Sequence, residues 1–126
     1  MAAPLTPHLQ IYNVQITSTL SILHRLTGLL IGIGTVWFAV WLAALAAGPE
    51  RYTTIVSIIG SVPGLVAMAA FTWALAFHLC TGIRHLVWDA GAAMDTASIF
   101  VSARLVIGFS IVLTLLVWGG AIAAKL

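Results

Sequence analysis

The stretch His78-Leu-Cys-Thr-Gly-Ile-Arg-His85-Leu-Val-Trp-Asp89 closes an apolar run in which no Asp, Glu, Lys or Arg occurs from Tyr52 to Ile83. Ionisable side chains are rare within hydrocarbon, and those found there face a protein interior, a cofactor or water. At 3.6 residues per turn, His78 and His85 stand almost two turns apart on one helix face, about 10.5 Å along its axis. Gly82 lies on the same face. The stripe therefore offers imidazole, bare backbone and imidazole, against which a flat ligand can lie.

Working outward, Leu26 to Pro49 and Leu105 to Ala124 are charge-free as well. Each window exceeds the roughly 20 residues needed to cross a hydrocarbon core about 30 Å thick. Of the 126 residues, 62% are hydrophobic and 6% charged, which excludes an ordinary soluble domain with about a quarter of its residues charged. The sequence predicts an all-α membrane protein with three transmembrane helices, forming a single membrane-anchor domain over residues 1–126. The helices are expected at about 16–47, 63–88 and 102–124. Residues 1–14, with Pro4 and Pro7, read as an interfacial segment. Any of Thr17, Ser18 and Thr19 can cap the first helix. Thr53 to Ser61 reads as interfacial or partly helical, and Pro63 opens the second helix in its first turn.

A formal charge of +2 from five basic residues gives no basic patch for nucleic acid. The single cysteine, Cys80, excludes an internal disulfide and a multi-cysteine metal site, and it is turned off the histidine face. The N-terminus has neither the pattern of a signal peptide nor that of an Arg-rich transit peptide, so the first spanning helix is expected to direct insertion.

Ser21, His24, Arg25 and Gly28 form a second polar group, spaced to share one face of the first helix. Gly28 and Gly32 continue that face as a small-xxx-small pattern for close packing. One span followed by a return places the start of the first helix and the end of the second on the same membrane side. Ser21, His24 and Arg25 can thus meet His78, Arg84 and His85. Arg25, Arg84 and Arg104 on that side, against Arg51 and Lys125 on the other, favour a cytoplasmic N-terminus.

A neutral histidine whose second nitrogen is held by a hydrogen bond is a good ligand for haem iron. His78, about two turns inside the helix end, is the candidate, with Gly82 leaving room for the macrocycle edge. His24, Arg25 and His85 lie nearer the interface, where they suit anionic propionates. Arg84, six positions from His78, is off that face and reads as a topology anchor. One deep histidine supplies one axial ligand, so a six-coordinate haem would need a second from another chain. Ser21 and Arg25 could stabilise the negative charge that develops on a quinone oxygen during reduction.

The segments Pro4-Leu-Thr-Pro-His-Leu-Gln-Ile-Tyr12, Ser21-Ile-Leu-His-Arg-Leu-Thr-Gly28 and His78 to Asp89 together resemble the cytochrome b membrane-anchor subunit of succinate dehydrogenase, respiratory complex II. The resemblance extends over the whole chain. It implies a haem-binding helical bundle completed by a second anchor subunit, with one haem b between the two anchors. It further implies an iron–sulfur subunit and a flavoprotein subunit, which hold the iron–sulfur clusters and the flavin, and ubiquinone as substrate. By motif matching, His78 takes the axial-ligand position, His24, Arg25 and His85 surround the propionates, and Ser21 and Arg25 belong to the quinone site. The chain would then be non-catalytic alone, docking the catalytic subunits to a bacterial inner membrane or, alternatively, a mitochondrial inner membrane. Other readings are the anchor of a quinol:fumarate reductase, or a haem-free structural or transport subunit. A transporter would more often show internal repeats or discontinuous helices.

Overall fold

The structure, a computed structural model, describes residues 15–125; the segment 1–14, expected at the interface, lies outside them. Four helices follow in order: α1 (Ile16–Ala46), α2 (Pro49–Gly60), α3 (Val62–Asp89) and α4 (Thr96–Ala123). Helices α1, α3 and α4 are long and apolar enough to cross a membrane. The chain is an all-α membrane protein.

Helix α1 begins before the expected caps. Gln15 occupies the N-cap without a capping side chain, and the Thr19 hydroxyl, already inside the helix, donates back to the Gln15 carbonyl. Such a back-bond satisfies the hydroxyl within its own helix. At the far end Gly48 adopts a positive φ of 107°, a conformation open to glycine without steric penalty. Pro49 then starts α2, where its missing N–H is no loss.

Helix α2 covers the stretch left between interfacial and helical in the sequence. Its polar side chains are matched internally: Thr53, Thr54 and Ser57 hydroxyls donate to carbonyls one turn back. Tyr52 packs on Trp41 of α1, with ring centroids 6.3 Å apart. The turn into α3 is tight. Ser61 accepts a hydrogen bond from the Gly64 N–H at 3.3 Å, and a Cβ at Gly64 would collide with the Ile58 carbonyl oxygen. Glycine is therefore required by the close approach of two backbones.

Helix α4 starts at Thr96, earlier than the expected 102, because Asp95 caps it. Asp95 Oδ2 accepts the Ser98 N–H at 3.0 Å, and hydrogen bonding from Ser98 holds this carboxyl below the usual carboxylate range.

Helices α1 and α3 run antiparallel. His24 meets Thr81, Thr27 meets His78, and further along Gly34 receives the Phe71 ring, where no Cβ would fit. Helix α4 is antiparallel to α3 in turn, tied by Arg84 to Ser102 near one end and by Trp118 to Thr72 near the other. The apolar core is small and lies beside the polar end: Leu20, Phe77, Ala103 and Val106, with Ile16, Leu23, Trp73 and Cys80 packed around it. Most other large apolar side chains are exposed, among them Val36, Trp37, Leu115 and Leu116. In a membrane-spanning chain, lipid and neighbouring helices take the place of a larger internal core.

Candidate functional site

The two polar groups predicted to share a membrane side do meet, at the α1–α3 crossing. Three imidazoles form a stack with His24 in the middle. The His24 and His78 rings are 4.1 Å apart and within 9° of parallel, and those of His24 and His85 are 5.0 Å apart at 27°. The order is not that of either helix alone, since His78 and His85 share α3 while the ring between them comes from α1.

Hydrogen bonds decide which nitrogen two of these rings present. His78 Nδ1 lies 3.1 Å from the His24 carbonyl oxygen. A carbonyl only accepts, so Nδ1 carries the proton and donates it. In the neutral ring Nε2 then keeps its lone pair. Thr27 Oγ1 lies 3.2 Å from the same Nδ1. His85 repeats the pattern, with Nδ1 donating to the Thr81 carbonyl at 2.7 Å, so its Nε2 is also left with a lone pair. His24 Nδ1 pairs with the Thr81 hydroxyl at 2.6 Å.

The glycines of the stripe have different surroundings. A Cβ at Gly82 would meet nothing within 4 Å, so the helix surface at Gly82 is open, while the space between the His78 and His85 rings is taken by His24. Gly28 is instead a notch for the His78 ring, whose Cε1 would lie 3.1 Å from an added Cβ. Gly32, its expected companion, has nothing within 4 Å.

Ser21 and Arg25 are both exposed on α1, Ser21 one turn before His24 and Arg25 directly after it. Among the described residues neither side chain makes a hydrogen bond, and both stand near the end of the α1–α3 pair that carries the histidines. Arg84 departs from the topology-anchor reading. It is only 7% exposed and turns away from the histidines towards α4. Its Nε donates to Ser102 Oγ at 2.9 Å and an Nη donates to the Ile99 carbonyl at 3.1 Å, while the guanidinium lies 4.0 Å over the Trp88 ring. A buried cation satisfied by two acceptors and an aromatic face ties two helices together. The positive-inside count treats it as a surface charge, which its folded position is not.

Two residues without a titratable side chain are central here. Thr27 and Thr81 are each 1% exposed and hold the imidazoles from the opposite helix. Their signal was present: His24-Arg-Leu-Thr-Gly28 and His78-Leu-Cys-Thr-Gly82 both read His-x-x-Thr-Gly.

The donor set suits a haem held from one side. His78 has its Nδ1 held by a hydrogen bond, as a haem-ligating imidazole requires, and Gly82 follows one turn later on α3 with open space at its Cβ position. His24 cannot supply the opposite ligand, because stacked parallel rings direct their lone pairs in separate planes and never along one line through a metal. Among the described residues there is also no cluster of three or more His, Cys, Asp and Glu able to hold a metal ion by themselves.

Residues 1–117 match the family described as the succinate dehydrogenase/fumarate reductase transmembrane subunit. The chain belongs to this family. The succinate dehydrogenase cytochrome b556 subunit of Rickettsia prowazekii is 39% identical over 117 residues, covering 91% of this chain and 90% of the relative. That of Paracoccus denitrificans is 34% identical over 113 residues, covering 90% and 87%. The human mitochondrial cytochrome b560 subunit is 33% identical over 106 residues, covering 82% of this chain and 63% of the human protein. As a member of the transmembrane subunit family with these relatives, the chain is a cytochrome b membrane subunit of succinate dehydrogenase and is not itself the catalytic subunit.

Proposed function

We propose that this subunit binds haem b through His78, contributes Ser21 and Arg25 to a ubiquinone-reducing site, and docks the flavoprotein and iron–sulfur subunits to the membrane. The observation that carries the reading is the hydrogen bond from His78 Nδ1–H to the His24 carbonyl. It leaves the Nε2 lone pair unengaged, one helical turn from Gly82, where an added Cβ would meet nothing within 4 Å.

Haem, when bound, supplies a one-electron redox centre within the low-dielectric membrane. The protein's part is to place ligands and charges. His78 Nε2 would bind the iron, and the stacking of His24 on its face fixes the ring plane. His24 and His85 stand on the interfacial side of His78, with exposed Arg25 directly after His24 on α1, so a guanidinium can meet the propionates. Each imidazole, its Nδ1 already engaged, can donate to them from Nε2 once protonated. A propionate is an anion, and donors of this kind stabilise it through charge-assisted bonds. The second anchor subunit would supply the remaining iron ligand, which this chain does not provide.

At the mouth, Ser21 and Arg25 are spaced four residues apart on α1, one turn of helix. A hydroxyl can donate to a quinone carbonyl, and a guanidinium stabilises the charge that gathers on the oxygen as electrons arrive. Protons come from water at this end of the bundle, where His24 and His85 can relay them. The N-terminus faces the cytoplasm in a bacterial inner membrane, so the mouth opens towards the side where succinate is oxidised.

Affinity purification of the full-length tagged chain from its native membrane tests the assembly. The expected result is co-isolation of a flavoprotein, an iron–sulfur protein and a second small membrane subunit, with succinate-dependent quinone reduction. Recovery of the chain alone from gently solubilised membranes that retain this activity in other fractions would contradict the proposal.

A further inference from the structure

The two His-x-x-Thr-Gly segments do more than recur. At the antiparallel crossing of α1 and α3 they exchange partners, His24 with Thr81 at 2.6 Å and His78 with Thr27 at 3.2 Å. Each threonine sits one turn after its own histidine and reaches the histidine of the other helix. The exchange is a local twofold relation between two segments of one chain.

The single proton of each hydroxyl limits what it can do. Thr27 Oγ1 lies 2.8 Å from the Leu23 carbonyl and 2.9 Å from the His24 carbonyl, so its proton is directed back into α1. Towards His78 it can then only accept. His78 Nδ1–H is thereby shared between two fixed acceptors, the His24 carbonyl at 3.1 Å and Thr27 Oγ1 at 3.2 Å. Thr27 is 1% exposed, so no solvent stands ready to replace it. The Gly28 notch lets the ring come this close, with Cε1 at the limit of what an added Cβ would allow.

We infer that Thr27 is a positioning residue for His78: its hydroxyl fixes the rotation of the imidazole and strengthens the Nδ1–H hydrogen bond, raising the electron density at Nε2. Outer hydrogen bonds of this kind orient a metal-binding histidine and increase its basicity. A more basic axial nitrogen favours the oxidised iron, so loss of the Thr27 acceptor raises the midpoint potential. This inference rests on the haem reading above and adds a tuning role that the histidines alone do not supply.

The test is a potentiometric titration of the b-type band in the purified whole complex. Thr27→Val keeps the branched shape and removes the hydroxyl; Thr27→Ser keeps the hydroxyl and removes the methyl. Thr35→Val is the control, because Thr35 makes the same back-bond within α1 and is exposed. With Thr27→Val the reduced-to-oxidised ratio at fixed potential is expected to rise about threefold, equivalent to about 28 mV at 59 mV per decade. Thr27→Ser and Thr35→Val are expected to match the unsubstituted complex. Should the valine hinder assembly, Thr27→Ala removes the same acceptor with less bulk and carries the same expectation. An unchanged potential in the hydroxyl-free variants, or a shift that follows the methyl instead of the hydroxyl, overturns the inference. Absence of any b-type band in the unsubstituted complex would instead defeat the haem reading on which it rests.

Discussion

Replacing His78 with alanine is expected to remove haem b from the assembled complex, lowering haem per complex by more than the roughly 10- to 100-fold loss of affinity that follows changes to a metal's outer shell. The imidazole is the ligand itself in this account. His24 is the nearest substitute, but its Nδ1 is bound to Thr81 and its ring lies parallel to the vacated position. To reach the iron it would have to leave the stack and break that bond. His85 is farther out, with its Nδ1 donating into its own helix turn at Thr81. The measurement is haem content per subunit after purification, with assembly checked by the stoichiometry of the four subunits. Full haem occupancy in a properly assembled His78→Ala complex would show that iron is ligated elsewhere.

Replacing Arg25 with alanine is expected to separate the two half-reactions. Quinone reduction should fall about 10- to 100-fold, the equivalent of a charge-assisted hydrogen bond worth about 1.5–3 kcal/mol in the transition state. Succinate oxidation by a soluble artificial acceptor should be unchanged, because Arg25 is exposed at the mouth of the helices, outside the catalytic subunits. Arg25→Lys should recover part of the rate, since an ammonium restores the charge without the planar fork of donors. Ser21→Ala should have a smaller effect of the same kind, because the lost partner is neutral. Steady-state assays with both acceptors on one preparation decide the matter. Equal loss with both acceptors, or no loss with quinone, would place Arg25 outside the quinone site.

The three long spans were legible because each carries a charge-free apolar window, and hydrocarbon thickness leaves little choice of structure for such a run. Their ends were less so. The extra turns of α4 before Ser102 depend on the Asp95 cap, a local hydrogen bond that hydropathy does not register. Helix α2 has no spanning window at all, and its mixed Thr, Ser and Ile sequence is resolved by back-bonds to its own carbonyls. At the site, helical spacing put His78, Gly82 and His85 on one stripe, and topology brought it to His24. The stacking order required more, because the register between α1 and α3 is set by close contacts such as Phe71 on Gly34. Arg84 illustrates the same limit. Its charge and position near a helix end suggest headgroups, yet Ser102, Ile99 and Trp88 supply a buried alternative. Thr27 and Thr81 could have been found from the doubled His-x-x-Thr-Gly pattern. Neither titrates, and their importance emerges only when each is seen against the other helix.

The central claim is that the lone pair left on His78 holds a haem shared with a partner anchor. A reduced-minus-oxidised absorption spectrum of the purified intact complex tests it most directly. The expected result is the bands of a low-spin b-type haem with two axial ligands, at about one haem per complex as a single shared site requires. A complex that retains succinate-dependent quinone reduction and shows no b-type bands would contradict it.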